Sequence, residues 1–380
     1  LRIAVNTRLL LDGRLTGLGH FIHESLKCLV RDHPEHTFIF LFDRAYDPQF
    51  VLGTNVIPVV LPPQARAAPL YMIWYDWMIP GAIRKYKADV FLSMDNFTSL
   101  RLNIPNLLVI HDLAYLHYPA HVDALHLWYY RRYMPRFAHR ATAIATVSEY
   151  SRQDILSQCN IAPDKVRVCG LGLNEGIKQI TDWDRVNNHL QLLGIYQPYF
   201  LYVGTFQPRK NVATLIRAYD EYKKQQITTT QLVLTGDKGW KNEEMESALA
   251  DSPYRDQIIV LGYQDNESLS ALLCGARALF LVSLFEGFGL PVIEAQKCGC
   301  PVVTSEVSSM PEAAGGAALL VPPTDITAIA AAMQRIDTEP GLRADLIKKG
   351  YENAASYSWQ KTADTLWEMI VRITTARTTT

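Results

Sequence analysis

Residues 283–304 read SLFEGFGLPVIEAQKCGCPVVT and set two carboxylates, Glu286 and Glu294, eight positions apart around a glycine pair. Gly287 and Gly289 free the backbone for a tight turn, and Pro291 stands where a helix begins, because its missing N–H costs nothing in a first turn. The unpaired N–H groups of that turn and the positive end of the helix dipole point into the loop, which suits a phosphate. Carboxylates repel phosphate but accept hydrogen bonds from sugar hydroxyls. The implied chemistry is the holding of a ligand that carries phosphate and sugar together, such as a nucleotide sugar. For a lone glutamate in a first turn, stabilisation of the dipole would be explanation enough; the whole stretch asks for more.

Positioning these groups takes a strand on either side. RALFLVS precedes the stretch and CPVVTS closes it, so the order is strand, glycine loop, helix, strand, a parallel βαβ unit. The same alternation runs through the rest of the chain. At 380 residues there is too much chain for one ordinary core, so two domains are expected. Their boundaries are read as residues 1–175 for a first Rossmann-like domain, 176–197 for a linker with a short helix, 198–355 for a second Rossmann-like domain that carries the phosphate-and-sugar stretch, and 356–380 for a C-terminal helix and tail.

Composition excludes several classes. With 37 Lys and Arg against 38 Asp and Glu, no nucleic-acid partner is called for. No apolar run approaches the roughly 18 residues of a membrane span, and LRIAVNTRLL is too short and polar for a signal peptide, so a cytoplasmic protein is expected. The six cysteines sit in apolar surroundings and read as reduced core residues. His117, His121, His126 and His139 lack the compact spacing of a zinc motif, and Asp182-Trp-Asp184 falls in the linker, so no metal is expected.

Other positions carry chemistry at strand ends. Gly17 and Gly19 join a first strand to an amphipathic helix, although Ile22 takes the place of the third glycine of a dinucleotide fingerprint. His111 ends the run PNLLVIHDL and faces the crevice beyond a parallel sheet. Arg209 and Lys210 follow the Gly204 turn, where cations reach a diphosphate leaving group. Residues 71–87 and 128–140 are aromatic with basic residues beside them, as in a core stripe, a sugar-stacking face or a surface resting on lipid headgroups.

Taken together, EGFGLPVIE with the small-x-Pro-Val-Val that follows, IHDLAYLHYP, VSEYSRQDI and VGTFQPRKN resemble the retaining GT-B glycosyltransferases of family 4, in their bacterial mannosyltransferase-like branch. The resemblance spans nearly the whole chain. It implies an α/β fold of two Rossmann-like domains facing across a cleft, with the last helix crossing back to the first, and it implies acceptor binding for the first domain and nucleotide-sugar binding for the second. It implies a donor site of Gly17, Leu18, Gly19, Thr205, Arg209, Lys210, Tyr263, Glu286, Gly287, Phe288, Gly289, Leu290 and Glu294, with catalytic roles for His111, Lys210 and Glu286. Lys210 matches the family's lysine directly; Thr205 stands where many members carry arginine. The implied donor is GDP-mannose, used without a metal, and the implied acceptor is a saccharide or lipid-linked saccharide of surface polysaccharide synthesis, with peripheral contact at the inner face of the cell membrane. The competing readings are a nucleotide-sugar epimerase of the same fold, which needs no acceptor, and a non-catalytic sugar-binding scaffold, which would be expected to lack Lys210 or Glu286.

Overall fold

The computed structural model describes residues 1–11, 13, 15–196, 198–225, 228–239 and 241–376. The chain forms two units, Leu1–Gly172 with Ser358–Thr380, and Leu173–Tyr357. Residues 377–380, the end of the expected tail, lie outside the described residues.

The first unit holds seven parallel strands: β1 (Arg2–Asn6), β2 (Thr37–Phe42), β3 (Val56–Val60), β4 (Val90–Ser93), β5 (Asn106–Val109), β6 (Ala143–Thr146) and β7 (Val166–Val168), in the order β3-β2-β1-β4-β5-β6-β7. The second holds six, β8 (Tyr199–Val203), β9 (Gln231–Thr235), β10 (Ile258–Leu261), β11 (Ala278–Leu281), β12 (Val302–Ser305) and β13 (Leu319–Val321), ordered β10-β9-β8-β11-β12-β13 and again parallel. Helices cover both faces of such sheets, which is why central strands such as ALFL and VVTS are apolar runs without alternation and are buried throughout. In each sheet the strand order reverses once, between β1 and β4 and between β8 and β11. Ligands of open α/β sheets bind beyond the carboxyl ends at that reversal.

Residues 176–197, read as a linker, belong to the second unit. Their helix Trp183–Leu192 buries Val186 and Leu190 and packs against Asn266–Gly275, with Arg185 2.5 Å from Glu267. Asp182 of the Asp-Trp-Asp sequence caps that helix, accepting from the Asp184 and Arg185 amides.

The helix Trp359–Thr375 returns to the first unit. It packs along Gly17–Asp32: Trp359 meets Phe21 edge-on at 5.8 Å, Trp367 stacks on His33 at 3.6 Å, and Glu368 pairs with Arg167 of β7 at 2.7 Å. The aromatic stretch 71–87 divides between core and surface. Tyr71, Trp74 and Tyr75 are buried, whereas Met72, Ile73 and Trp77 are exposed.

Candidate functional site

In the second unit the two central strands deliver their loops to one place. After β8 the chain turns through Gly204 and makes a short 3-10 turn, Pro208–Lys210, that presents Arg209 and Lys210. After β11 it presents Ser283 and Glu286 before the helix Leu290–Lys297. The loops are stitched together by their backbones: the Leu284 amide donates to the Arg209 carbonyl at 2.9 Å, and Asn211 Nδ2 donates to the Val282 carbonyl at 3.0 Å. Gly236, after β9, approaches the same turn so closely that a Cβ there would lie 2.0 Å from the Gly204 carbonyl oxygen.

Glu286 is the hub. Its Oε1 accepts from Lys210 Nζ at 2.6 Å and from Ser283 Oγ at 2.7 Å, and its Oε2 accepts from Arg209 Nη1 at 2.9 Å. Burial alone would raise its pKa, but the charges of Lys210 and Arg209 and these hydrogen bonds outweigh burial and hold it at about 2. The carboxylate is therefore ionised at neutral pH, and with its two cations the cluster carries net positive charge. A carboxylate offers about four lone-pair positions; three are used here, so Oε2 keeps one acceptor position for a further donor.

The following helix is built as expected at its start. Gly289 caps it with φ of 111°, a conformation that disfavours side chains, and a Cβ there would lie 3.0 Å from Met310 Sδ. Ser308 and Ser309, after β12, brace this turn. Ser308 Oγ accepts from the Glu286 amide at 3.1 Å, and Ser309 Oγ lies 2.8 and 3.0 Å from the Glu286 and Phe288 carbonyls. Ser283, Asn211, Ser308 and Ser309 went unread in the sequence. The signal was the serine cluster TSEVSSMPE at the end of a strand adjoining β11.

Glu294, one turn into that helix, differs from Glu286. It is 9% exposed, and burial pushes its carboxyl up to about 8, with Lys297 pulling weakly back. No hydrogen bond reaches its side chain among the described residues. Between its ordinary value of 4.5 and about 8, the folded chain keeps a proton that the unfolded chain has released, so stability falls as pH rises across that window. Urea unfolding at pH 5 to 8.5 should show wild type losing stability relative to Glu294→Gln by about 3 kcal/mol or more; parallel curves would refute the raised carboxyl.

The remaining expected positions are dispersed. Thr205 follows Gly204, and its carbonyl accepts from Tyr202 Oη at 3.2 Å. Tyr263 follows the edge strand β10, two strands out from β8, and its side chain is exposed. In the first unit, Thr16 caps the helix Gly17–Asp32 by accepting from the Gly19 amide. Gly17, Leu18 and Gly19 thus form the first turn of that helix, not a loop before it, because the cap, Thr16, lies ahead of both glycines.

His111 follows β5 and packs edge-on against Phe21 of the same helix at 4.8 Å. Its Nε2–H donates to the Met94 carbonyl at 2.9 Å, so in the neutral ring Nδ1 is the acceptor; burial lowers its pKa, and the Met94 bond pulls part of the way back. Of the histidines between 117 and 139, His117 pairs with Asp154 at 2.8 Å and His126 with Asp123 at 2.5 Å.

At the reversal point of the first sheet lies a buried network that sequence reading missed. Arg8 Nε donates to Asp95 Oδ2 at 2.5 Å, and Tyr75 Oη donates to the same oxygen at 2.6 Å. Asn6 Nδ2 reaches Tyr75 Oη and Ser93 Oγ, both at 3.0 Å, and Arg8 Nη1 donates to the Ala65 carbonyl at 3.1 Å. The network ties the ends of β1 and β4 to the loop after β3.

A family model for glycosyl transferases group 1 matches residues 193–353, the part that holds the Glu286 cluster, and one for glycosyltransferase family 4 matches residues 15–175. O-antigen chain mannosyltransferase B of Escherichia coli is 30% identical over 301 residues, 78% of each chain. Among solved structures, sucrose-phosphate synthase of Thermosynechococcus elongatus superposes over 99% of both chains with a TM-score of 0.78 at 20% identity. HepE of Anabaena, solved with UDP-glucose, covers 98% of this chain and 99% of its own with a TM-score of 0.75 at 16% identity. Two parallel Rossmann-like sheets, a C-terminal helix that rejoins the first of them, and this set of matches place the chain in glycosyltransferase family 4, among the sugar-transferring enzymes of GT-B fold.

Proposed function

We propose that the chain transfers mannose from GDP-mannose, with retention of anomeric configuration and without a metal, to a saccharide or lipid-linked saccharide acceptor in surface polysaccharide synthesis. The observation that carries the reading is the Glu286 cluster, in which one ionised carboxylate holds two cations at the carboxyl ends of β8 and β11. Lys210 and Arg209 offset the charge that develops on the departing diphosphate, and the first turn of Leu290–Lys297 adds its dipole. The spare position on Glu286 Oε2 takes a hydroxyl of the hexose. Glu294 takes the ribose hydroxyls. A leaving-phosphate oxygen accepts the proton of the attacking hydroxyl on the same face, so no protein nucleophile is needed. His111 Nδ1 accepts from a donor-sugar hydroxyl. The choice of mannose is supported by the identity to the O-antigen mannosyltransferase.

The acceptor's lipid is met by the first unit. Met72, Ile73, Trp77, Leu125 and Trp128 are exposed on two neighbouring helical segments, with Arg131, Arg132 and Arg136 exposed on the second. No helix among the described residues is long and apolar enough to cross a membrane. Apolar side chains beside cations suit an anionic headgroup layer.

Thermal unfolding with GDP, GDP-mannose, UDP and UDP-glucose in EDTA tests the donor. A ligand at about 100 times its Kd adds about 2.7 kcal/mol to the folded state. Stabilisation by the GDP compounds is expected, and stabilisation by the UDP compounds alone would overturn the choice of donor. Flotation with phosphatidylglycerol vesicles tests the membrane face: Arg131→Glu/Arg132→Glu/Arg136→Glu should lose binding, and unchanged flotation would refute it.

A further inference from the structure

The second unit contains a cavity that the transfer reaction does not use. It lies at the amino ends of the strands, lined by Pro198 just before β8, Arg277 just before β11 and Pro301 just before β12, whereas the Glu286 cluster follows the carboxyl ends of β8 and β11. The two sites are therefore separated by the length of the strands, about 15 Å. The cavity measures about 550 Å³, within the range of small-molecule pockets.

Its charge is one-sided. Arg277 and Arg343 both line it, and no carboxylate does among the described residues. Arg343 spends Nη1 on the carbonyls of Ile336 and, at 3.1 Å, Asp337, at the end of the helix Ile326–Thr338. Its Nε and Nη2 make no hydrogen bond among the described residues. Among the described residues the Arg277 side chain has a single ion pair, a long one of 3.6 Å from Nε to Asp337 Oδ1, and that carboxylate is already shared with Tyr222 Oη at 2.8 Å. The guanidiniums lie close enough that burial and then the charge of Arg277 lower the pKa of Arg343. Nearby Arg185 and Glu267 neutralise one another.

The other lining groups suit the body of a small molecule. Tyr351 Oη accepts from Gln179 Nε2 at 2.6 Å, and the Trp183 ring is exposed. Cys274 also lines the cavity, with the Ile180 amide donating to its Sγ at 3.2 Å.

We propose that this cavity is a second ligand site, which binds a phosphomonoester with its dianion between Arg277 and Arg343 and its sugar-sized body toward Tyr351 and Trp183. Guanidinium forks are suited to phosphate oxygens, and two of them supply the charge of a dianion. The place of the site, at the far end of the sheet from the Glu286 cluster, makes the ligand an effector rather than a substrate.

Cys274 supplies a readout that does not depend on activity, because it is the one cysteine of six that is not buried. Its alkylation by iodoacetamide, followed by peptide mass spectrometry, should slow at least about fivefold in saturating glucose 6-phosphate and less in inorganic phosphate. Arg277→Gln and Arg343→Lys should each weaken that protection, with thermal stabilisation by GDP retained as proof of a folded second unit. No protection in wild type, or equal protection in both variants, would overturn the proposal. Equal protection by inorganic phosphate and glucose 6-phosphate would overturn the phosphomonoester and assign the site to the free ion.

Discussion

Lys210→Ala should lower kcat by about 10²- to 10³-fold, the range expected when one preorganised stabiliser of a developing anion is removed. The measurement is GDP release from GDP-mannose with methyl α-mannoside as acceptor. Lys210 is held by Glu286 at 2.6 Å and is largely buried, so in the proposed reaction it would act on the departing diphosphate without having to be ordered first. The alternative, that the variant acts by protonating Glu286, fails on sign and size. Glu286 sits at about 2, and Arg209 and Ser283 still hold it after the lysine is gone, so it stays ionised at pH 7. Its contribution to stability is complete above the ordinary value of 4.5 and is lost as pH falls toward 2, far from assay conditions. The loss should therefore appear in kcat, with KM little changed and thermal unfolding shifted only slightly. A variant with wild-type kcat would remove Lys210 from the chemistry.

The sequence carries the strands of this fold better than their order. Runs such as TFIFLF, NLLV and VVTS declare buried parallel strands because nothing alternates in them. That β1 pairs with both β2 and β4 is set by packing across dozens of residues, which periodicity does not report. β13 is three residues long and passes below the length at which a run reads as a strand. Residues 176–197 looked like a linker because strand periodicity is lost there, yet Val186 and Leu190 are enough to fix the helix on the second unit.

The site divides in the same way. Local chemistry was legible: the Gly289 cap and the first-turn proline follow from residue type alone. The meeting of Lys210 with Glu286 joins residues 76 apart, and the βαβ reading could only bring their strands into one sheet. The serines that brace Glu286 were marked only by their clustering after a strand, because what each one binds is set by what lies within about 3 Å of its hydroxyl. The return of the last helix to the first unit came from family resemblance, and its physical basis is the Trp359 and Trp367 contacts that structure alone reveals.

Asp95→Ala should destabilise the first unit by about 3–5 kcal/mol, because it leaves a buried guanidinium without its anion. Arg8 and Asp95 are 8% and 2% exposed, and the rings of Tyr71 and Phe97 lie 5.2 and 5.6 Å from the Arg8 guanidinium carbon. With the carboxylate gone, Arg8 Nε keeps Tyr75 Oη and Nη1 keeps the Ala65 carbonyl, but neither carries a charge. Two accounts of the network then separate. If its value is only to cancel charge, Arg8→Met/Asp95→Leu should recover most of the loss, since apolar replacement of a buried pair is often close to neutral. If it fixes the ends of β1 and β4 and the loop after β3, the double variant should regain stability and still lose protection from hydrogen exchange at residues 64–67, where Arg8 and Asp43 make side-chain bonds to Ala65. We expect the second outcome. The reversal point is where ligands of open α/β sheets bind, and an ion pair holds direction in a way that a pair of apolar side chains does not. A single variant Asp95→Ala with unchanged urea midpoint would show instead that water reaches Arg8 and that the pair is dispensable.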